Sequence, residues 1–451
     1  MKIKLLAIIT ICLLSFMSKA QDKASVWDSV KATVSPKVAS AFVDTFETPY
    51  RQPLWAQGWE DGIQISRNGL NLYALYYPGD LLSWTFYFGK YVSTGDFCKL
   101  FGTSSFIRPY AKTFGMDMKT NSLGCSNFLN IDIVYANRKS ITGNFTEWSL
   151  SNMARAGLIE GGPYPLFAEN SATNVDLFLF TGNSCIWMIR NTLANPNNIA
   201  TAVRLPSPIN PVTNEFESDN PHLERLHGDT LLLVYEKYND GDKRTFMYSH
   251  SYNNGYDWTT PTAITSINYS KGKIEQPHLF QDKDGVWYMY YSLNCEIYRS
   301  KQAIVGNWDS WQNQELVIAK GNAVCIGEPS LTSDGDISFA VAYANSASKD
   351  TTDAYDIDPW YLPKKKTATE TKVIDSFTCK LFPNPCSNEL QVNSNEQMCS
   401  VTIVDIFGQM VLKKEVNSDN ANLQLHDLAI GFYVLNVRFK NTNRTYKIVK
   451  Q

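Results

Sequence analysis

Apolar and polar residues alternate along most of this chain in short runs that end at Gly, Pro, Asn or Asp. A period of two bounded by turn formers predicts β-strands joined by tight turns. Between about Trp55 and Pro363 the runs repeat one phrase at roughly 50-residue spacing, the period of a propeller blade. The phrase opens on an acidic or polar strand start, passes an Asn-Gly or Asp-Gly turn, continues as an aromatic strand, and later reaches a Trp. Its clearest copies begin DNPHLERLHGDTLLLVYEKY at Asp219, EQPHLFQDKDGVWYMYYS at Glu275 and GEPSLTSDGDISFAVAYAN at Gly327, with an earlier copy, DGIQISRNGLNLYALYY, at Asp61. Gly69, Gly228, Gly285 and Gly335 fall at the turns, where a tight hairpin needs positive φ. Trp148, Trp258, Trp308 and Trp360 close successive units, and a weaker unit runs from about Gly162 to Ile186-Trp187-Met188.

The expected fold is therefore all-β, a propeller of five blades with residues 26–55 supplying a strand that closes the ring. Six blades stay open as a reading, because the segment from Trp84 to Asn130 is long enough for one more unit. The preferred reading is an elaborated aromatic loop pinned by Cys98 and Cys125. A small antiparallel β-sandwich follows, since the tail alternates again from Leu381. The domain organisation expected is a leader at 1–20, the propeller at 21–362, a polar linker at 363–374 and the C-terminal module at 375–451.

Lys2 and Lys4 precede an apolar run from Leu5 to Met17, and Ser18-Lys19-Ala20 offers a small-residue cleavage site, the pattern of a signal peptide. No later stretch approaches the ~18 apolar residues of a membrane span, so no transmembrane segment is expected after the leader is removed. Cysteines at 98, 125, 185, 295 and 325 in the body and at 379, 386 and 399 near the tail have no CxxC spacing, so no zinc site is expected. Their odd number in each part prevents complete pairing within both. A net charge of -3 argues against nucleic acid as a partner, and no cofactor fingerprint is present.

The tail carries the most specific signal. It reads LFPNPCSNELQV from Leu381, VTIVDIFGQMVLKKEV from Val401, and LAIGFYVLNVRFKNTNRTYKIVKQ to the end. Pro383-Asn384-Pro385, Asp405-Ile406-Phe407-Gly408, Gly431 before Phe432-Tyr433-Val434 and a basic last strand resemble the C-terminal sorting domain of the type IX secretion system of Bacteroidetes-type bacteria. The resemblance implies export to the medium or the outer-membrane surface, with the type IX machinery as a partner.

Chemistry points to the strand starts. Asp61, Asp219 and Glu275 hold one place in the repeat, and Glu328 sits one position later, so radial symmetry gathers them around one mouth. Glycoside hydrolysis uses such a pair of carboxyls, one protonated and one ionised. Glu275-Gln276-Pro277-His278-Leu279 with the aromatic strand after it resembles the general-acid segment of five-bladed family 43 glycoside hydrolases. That resemblance implies Glu275 as acid, Asp219 as the aspartate tuning it, Asp61 as base, and an extracellular glycan as substrate. His222 and His278, together with Glu328, are the expected substrate contacts. The family sets its base and tuning aspartates in neighbouring blades, whereas here a unit with Gly162 at the corresponding place intervenes, and Gly62 follows Asp61 where the family has Pro. Ser251-Tyr252-Asn253-Asn254-Gly255-Tyr256-Asp257-Trp258 resembles the Asp-box hairpin of sialidase-type propellers. DIVYANRKS at Asp132 and DIDPWYLPKK at Asp356 resemble non-catalytic periplasmic propellers. A non-catalytic glycan- or protein-binding propeller is thus the alternative, and Phe86, Tyr87, Phe88, Tyr91, Phe101, Phe106 and Tyr110 are candidate sugar-stacking rings.

Overall fold

The computed structural model describes residues 27–54, 59–77, 132–150, 160–168, 175–182, 185–190, 202–210, 218–239, 243–345, 354–366, 379–405, 409–439 and 443–451. The segment expected to be a leader, the aromatic segment with Cys98 and Cys125, and the segment beyond Lys366 expected to be a linker lie outside the described residues. The chain divides into two compact units, Met1–Lys365 and Lys366–Gln451.

Two short strands, β1 (Lys37–Val38) and β2 (Tyr50–Arg51), precede five antiparallel blades. Blade 1 holds β3 (Trp59–Ile65), β4 (Asn71–Tyr77), β5 (Asp132–Asn137) and β6 (Ser149–Leu150). Blade 2 holds β7 (Glu160–Phe167), β8 (Val175–Gly182), β9 (Cys185–Arg190) and β10 (Val203–Arg204). Blade 3 holds β11 (Ser218–His227), β12 (Thr230–Asn239), β13 (Lys243–Ser251) and β14 (Thr262–Ala263). Blade 4 holds β15 (Ile274–Gln281), β16 (Trp287–Leu293), β17 (Glu296–Gln302) and β18 (Trp311–Ala319), with β1 added outside β18. Blade 5 holds β19 (Cys325–Leu331), β20 (Ile337–Ala344) and β21 (Tyr355–Leu362). Its fourth strand is β2, paired through Tyr50 with Tyr361 and through Arg51 with Trp360. The N-terminal segment therefore closes the ring, as the pattern indicated. The innermost strands β3, β7, β11, β15 and β19 each contact the next, and β19 returns to β3.

Local sequence explains the elements. Gly69, Gly228, Gly285 and Gly335 have φ of 72°, 49°, 79° and 89°, so the hairpins turn where glycine removes the steric cost. In the Asp282–Gly285 turn, the Asp282 carboxylate accepts from the N–H groups of Asp284 and Val286. Between blades the sheets bury continuous apolar layers; Ile326, Phe339, Val341 and Trp360 of blade 5 pack with Ile297, Val317 and Ile318 of blade 4. Trp27, Phe42 and Phe46 of the N-terminal segment join that layer. Cys295 and Cys325 form a disulfide between blades 4 and 5.

The C-terminal unit consists of β22 (Cys379–Phe382), β23 (Glu389–Val404), β24 (Met410–Gln424), β25 (Gly431–Phe439) and β26 (Asn443–Lys450), all antiparallel where they pair. One edge of the long β23 pairs first with β22 and then with β25, and its other edge pairs with β24. Leu390, Val392, Val401, Ile403, Leu423, Leu435 and Val437 form its core. Asn384 of the Pro-Asn-Pro motif clamps the last strand: its Nδ2 donates to Lys447 O, and its Oδ1 accepts from Val449 N–H.

Candidate functional site

The five innermost strands share one irregularity. Each slips register at the same place, between Asp61 and Gln64, Gly161 and Tyr164, Asp219 and His222, Glu275 and His278, and Gly327 and Ser330. The residue that follows the first of each pair takes a positive φ: Gly62 62°, Gly162 48°, Asn220 44°, Gln276 61° and Glu328 57°. A β-bulge inserts one residue and re-aims its side chain. Here it does so five times around one axis. Left-handed backbone is costly for Gln and Glu, on the order of 1–3 kcal/mol each, and such strain gathers at functional sites.

The five bulge residues, with Gln64, Pro221, Pro277 and Pro329, line a small open pocket. Its wall is asymmetric. At the bulges blades 1 and 2 contribute glycines, while blades 3, 4 and 5 contribute an amide, an amide and a carboxyl. A side chain at Gly162 would meet Pro221 Cδ and Thr181 Oγ1 at 3.2 Å, so the wall is tight as well as bare there.

Asp61, Asp219 and Glu275 stand one residue before this ring and are not among the residues that line the pocket, and Gly161 and Gly327 hold their place in blades 2 and 5. The repeat read from sequence set Gly162 against the acids; the bulges move it one position, to the ring of Asn220 and Gln276. The three acids do not share one environment. Glu275 lies 2.6 Å from Arg244 Nη1 and 3.0 Å from Lys273 Nζ. Asp219 accepts from the Tyr238 hydroxyl at 3.1 Å and from Asn220 N–H at 2.8 Å. Asp61 accepts from Trp59 Nε1 at 3.1 Å and is hydrogen-bonded to Glu328.

Glu328 lines the pocket. Its carboxyl accepts from Ile63 N–H at 2.9 Å and from Gln276 Nε2 at 3.3 Å, and its own N–H donates to Gln276 Oε1 at 2.9 Å. Burial first, then the charge of Asp61 and the bond to it, raise Glu328 well above the usual carboxylate range, against the N–H groups of Ile63 and Gly62. Glu328 is thus the pocket carboxyl whose surroundings favour the protonated form.

His222 and His278 have a different place from the substrate contact expected of them. They form the layer beneath the pocket, with Tyr164, and are 1% and 2% exposed. Ring centroids lie 4.6 Å apart for Tyr164 and His222, and 4.4 Å for His222 and His278. Each Nε2 accepts a backbone N–H from the next blade, Leu279 at 3.2 Å and Leu331 at 3.1 Å. Ser330 repeats the device on Ile65 N–H at 2.8 Å. Burial first, with Arg67 behind it for His222 and with His222 and Arg67 for His278, holds both imidazoles well below their ordinary range. They are neutral bolts between blades. Below them Arg67 pairs with Glu224 and donates to Leu279 O at 3.0 Å.

Sequence reasoning missed Glu236, Arg244, Asn220 and Gln276. Glu236 is fully buried at the end of β12, opposite Asp219 in the ladder. It accepts from Asn220 Nδ2 at 2.9 Å, from Arg244 Nη1 at 2.6 Å and from Gln276 N–H. Burial pushes its carboxyl up to about 7; Arg244 opposes this, Asp219 and Glu275 add to it, and the Gln276 N–H lowers it. The one available signal was its polarity within the apolar run TLLLVYEKYN. Among the described residues, Glu60, Asp356 and Asp358 place carboxylate oxygens within 4.8 Å of one another, buried away from this pocket's lining. Lys31 Nζ stands 2.9 Å from Asp356 and 2.8 Å from Asp358, so an ammonium supplies positive charge there.

Residues 380–451 match the family model described as a secretion system C-terminal sorting domain. This is the type IX sorting domain, and it marks the chain as secreted or attached to the cell surface. No curated protein matches the chain. Solved structures similar to it include an alpha-L-arabinofuranosidase from Podospora anserina in complex with cellotriose, at TM-score 0.39 and 10% identity over 74% of this chain and 95% of that one. A thermostable family-43 glycoside hydrolase gives 0.38 and 11%, over 70% and 96%. The type IX surface component PorZ of Porphyromonas gingivalis gives 0.25 and 11%, over 72% and 50%. No helix of the described residues is long and apolar enough to cross a membrane.

Proposed function

We propose that the propeller acts on an extracellular glycan at this mouth, by hydrolysis of a glycosidic bond. One observation carries the reading: a carboxyl lines the pocket, and three more stand next to its lining residues in different electrostatic surroundings. Burial and the neighbouring Asp61 raise the Glu328 carboxyl well above the usual carboxylate range, while Glu275 is paired with two cations, Arg244 and Lys273. A glycosidase needs that division of labour.

The proton donor in this reading is Glu328, bonded to Asp61, in place of the Glu275 suggested by the family resemblance. Glu275 is engaged in ion pairs with Arg244 and Lys273, whereas the raised carboxyl is Glu328. The C–O bond to the leaving oxygen breaks as Glu328 delivers its proton there. Water forms the new bond to the anomeric carbon and gives its proton to an ionised carboxylate, Asp219 or Glu275. Asn220, Gln276 and Gln64 offer amide contacts to sugar hydroxyls.

The test is hydrolysis of a panel of plant, algal and host glycans by the purified chain, beside Glu328→Gln, Glu275→Gln and Asp219→Asn. Turnover that falls at least about a hundredfold in Glu328→Gln supports the assignment. Turnover that survives Glu328→Gln and disappears in Glu275→Gln returns the acid to Glu275. Retention on a glycan array without any turnover replaces hydrolysis by binding.

A further inference from the structure

Glu236 is the side chain on which two edges of the pocket converge. Its Oε1 accepts from Asn220 Nδ2 and from the Gln276 backbone N–H, and its Oε2 accepts from Arg244. The three donors come from β11, β15 and β13, so one carboxylate ties blade 3 to blade 4 at the level of the mouth. Asn220 and Gln276 are pocket-lining residues held at positive φ. Arg244 in turn reaches Glu275 at 2.6 Å and lies 4.6 Å from the Tyr238 ring centroid. A carboxylate offers about four acceptor sites and no donor, which suits three inward donors; a neutral acid or an amide turns a hydrogen toward one of them.

We propose that Glu236 is the positioning residue of the mouth, and that protonating it sets a hydrogen against one of its three donors, loosens the set that holds Asn220, Gln276 and Arg244, and so weakens ligand capture. The inference rests on the glycan reading only for the identity of the ligand. The charged and titratable groups around Glu236 are Asp219 on β11, Tyr238 on its own strand, Arg244 on β13, Glu275 on β15 with Lys273 beside it, and Tyr269 in the turn before β15. Burial and the two neighbouring acids favour the neutral form, and Arg244 with the Gln276 N–H favours the ionised form. The balance falls near neutral pH.

The test uses the full-length chain labelled with ¹⁵N in Asn and Gln, titrated from about pH 5 to about pH 9. The Gln276 backbone amide and the Asn220 side-chain amide should shift together with a midpoint near 7 in the wild type, and that midpoint should vanish in Glu236→Gln. Signals that stay still in the wild type, or keep the midpoint in Glu236→Gln, overturn the proposal. A thermal midpoint of Glu236→Gln equal to the wild type's at pH 5 would show that the variant is folded. With any glycan the panel identifies, wild-type capture should weaken roughly tenfold below the midpoint, and the variant's capture should lose that pH dependence. Failure to find a glycan removes the glycan reading and leaves the amide titration to decide Glu236.

Discussion

The two arcs of the mouth start from the same strand position and end in opposite chemistry. Where blades 3 and 4 meet, Arg244 sits between Glu236 and Glu275, and Lys273 adds a second cation. Where blades 5 and 1 meet, Glu328 and Asp61 face one another with two backbone N–H groups to satisfy them. Symmetry of the fold thus sets where a carboxyl stands, and the neighbours on the next two strands set its electrostatic surroundings. The lesson is that an acid's place in a repeat does not assign its role.

The heaviest blow to this contrast is removal of the cation. Arg244→Met leaves Glu236 and Glu275 without their shared partner, and breaking a buried pair from one side costs about 3–5 kcal/mol. Denaturant unfolding at pH 8 should show that loss, with a smaller one at pH 5, where Glu236 is neutral in either protein. Next in size is the pH dependence carried by Glu236. Its folded-state value of about 7 lies above the ordinary 4.5. The folded chain therefore binds the extra proton between those values, and stability falls as pH rises through that window. The span corresponds to about 3 kcal/mol, and Glu236→Gln should flatten that part of the stability curve. An unchanged slope in the variant would place the buried titration elsewhere.

A smaller effect sharpens the comparison from below. His278→Ala should cost about 1–2 kcal/mol by leaving Leu331 N–H unpaired, measured as a shift in the urea midpoint. The depressed histidine works in the opposite sense to Glu236. Unfolded chain takes up its proton near pH 6.5 while the folded imidazole stays neutral, so stability is lost as pH falls below that value. His278→Ala should lose less than the wild type on that acid side while leaving glycan capture unaltered. Loss of capture without loss of stability would restore the histidine as a ligand contact.

Much of the fold was legible in sequence because turns and alternation are local. The hairpin glycines, the five strand starts and the N-terminal closing strand all follow from patterns within about 20 residues, the scale of a β-hairpin. The site was legible only as a neighbourhood. Asp61, Asp219 and Glu275 were found because they repeat, yet the bulge after each one hands the pocket wall to Gly62, Asn220 and Gln276. A strict period of two cannot register an inserted residue. Glu236 escaped for a related reason. Counting back across the Gly228 hairpin reaches Asp219 opposite Glu236 only after two register shifts are allowed for. The Lys31 contact with Asp356 and Asp358 joins positions more than 320 residues apart, and no periodicity carries such a pair. The tail is the converse case: Asn384 and the strand it clamps lie within one short motif-rich module, and the reading there was the most specific.

The most direct test of the central claim is the protonation state of Glu328 at pH 7. The infrared difference spectrum between the wild-type chain and Glu328→Gln should contain a protonated-carboxyl C=O band that belongs to the wild type and is absent from Glu275→Gln differences. A Glu328 difference made only of carboxylate bands would mean that the pair with Asp61 is fully ionised, and the mouth would then have no proton to give.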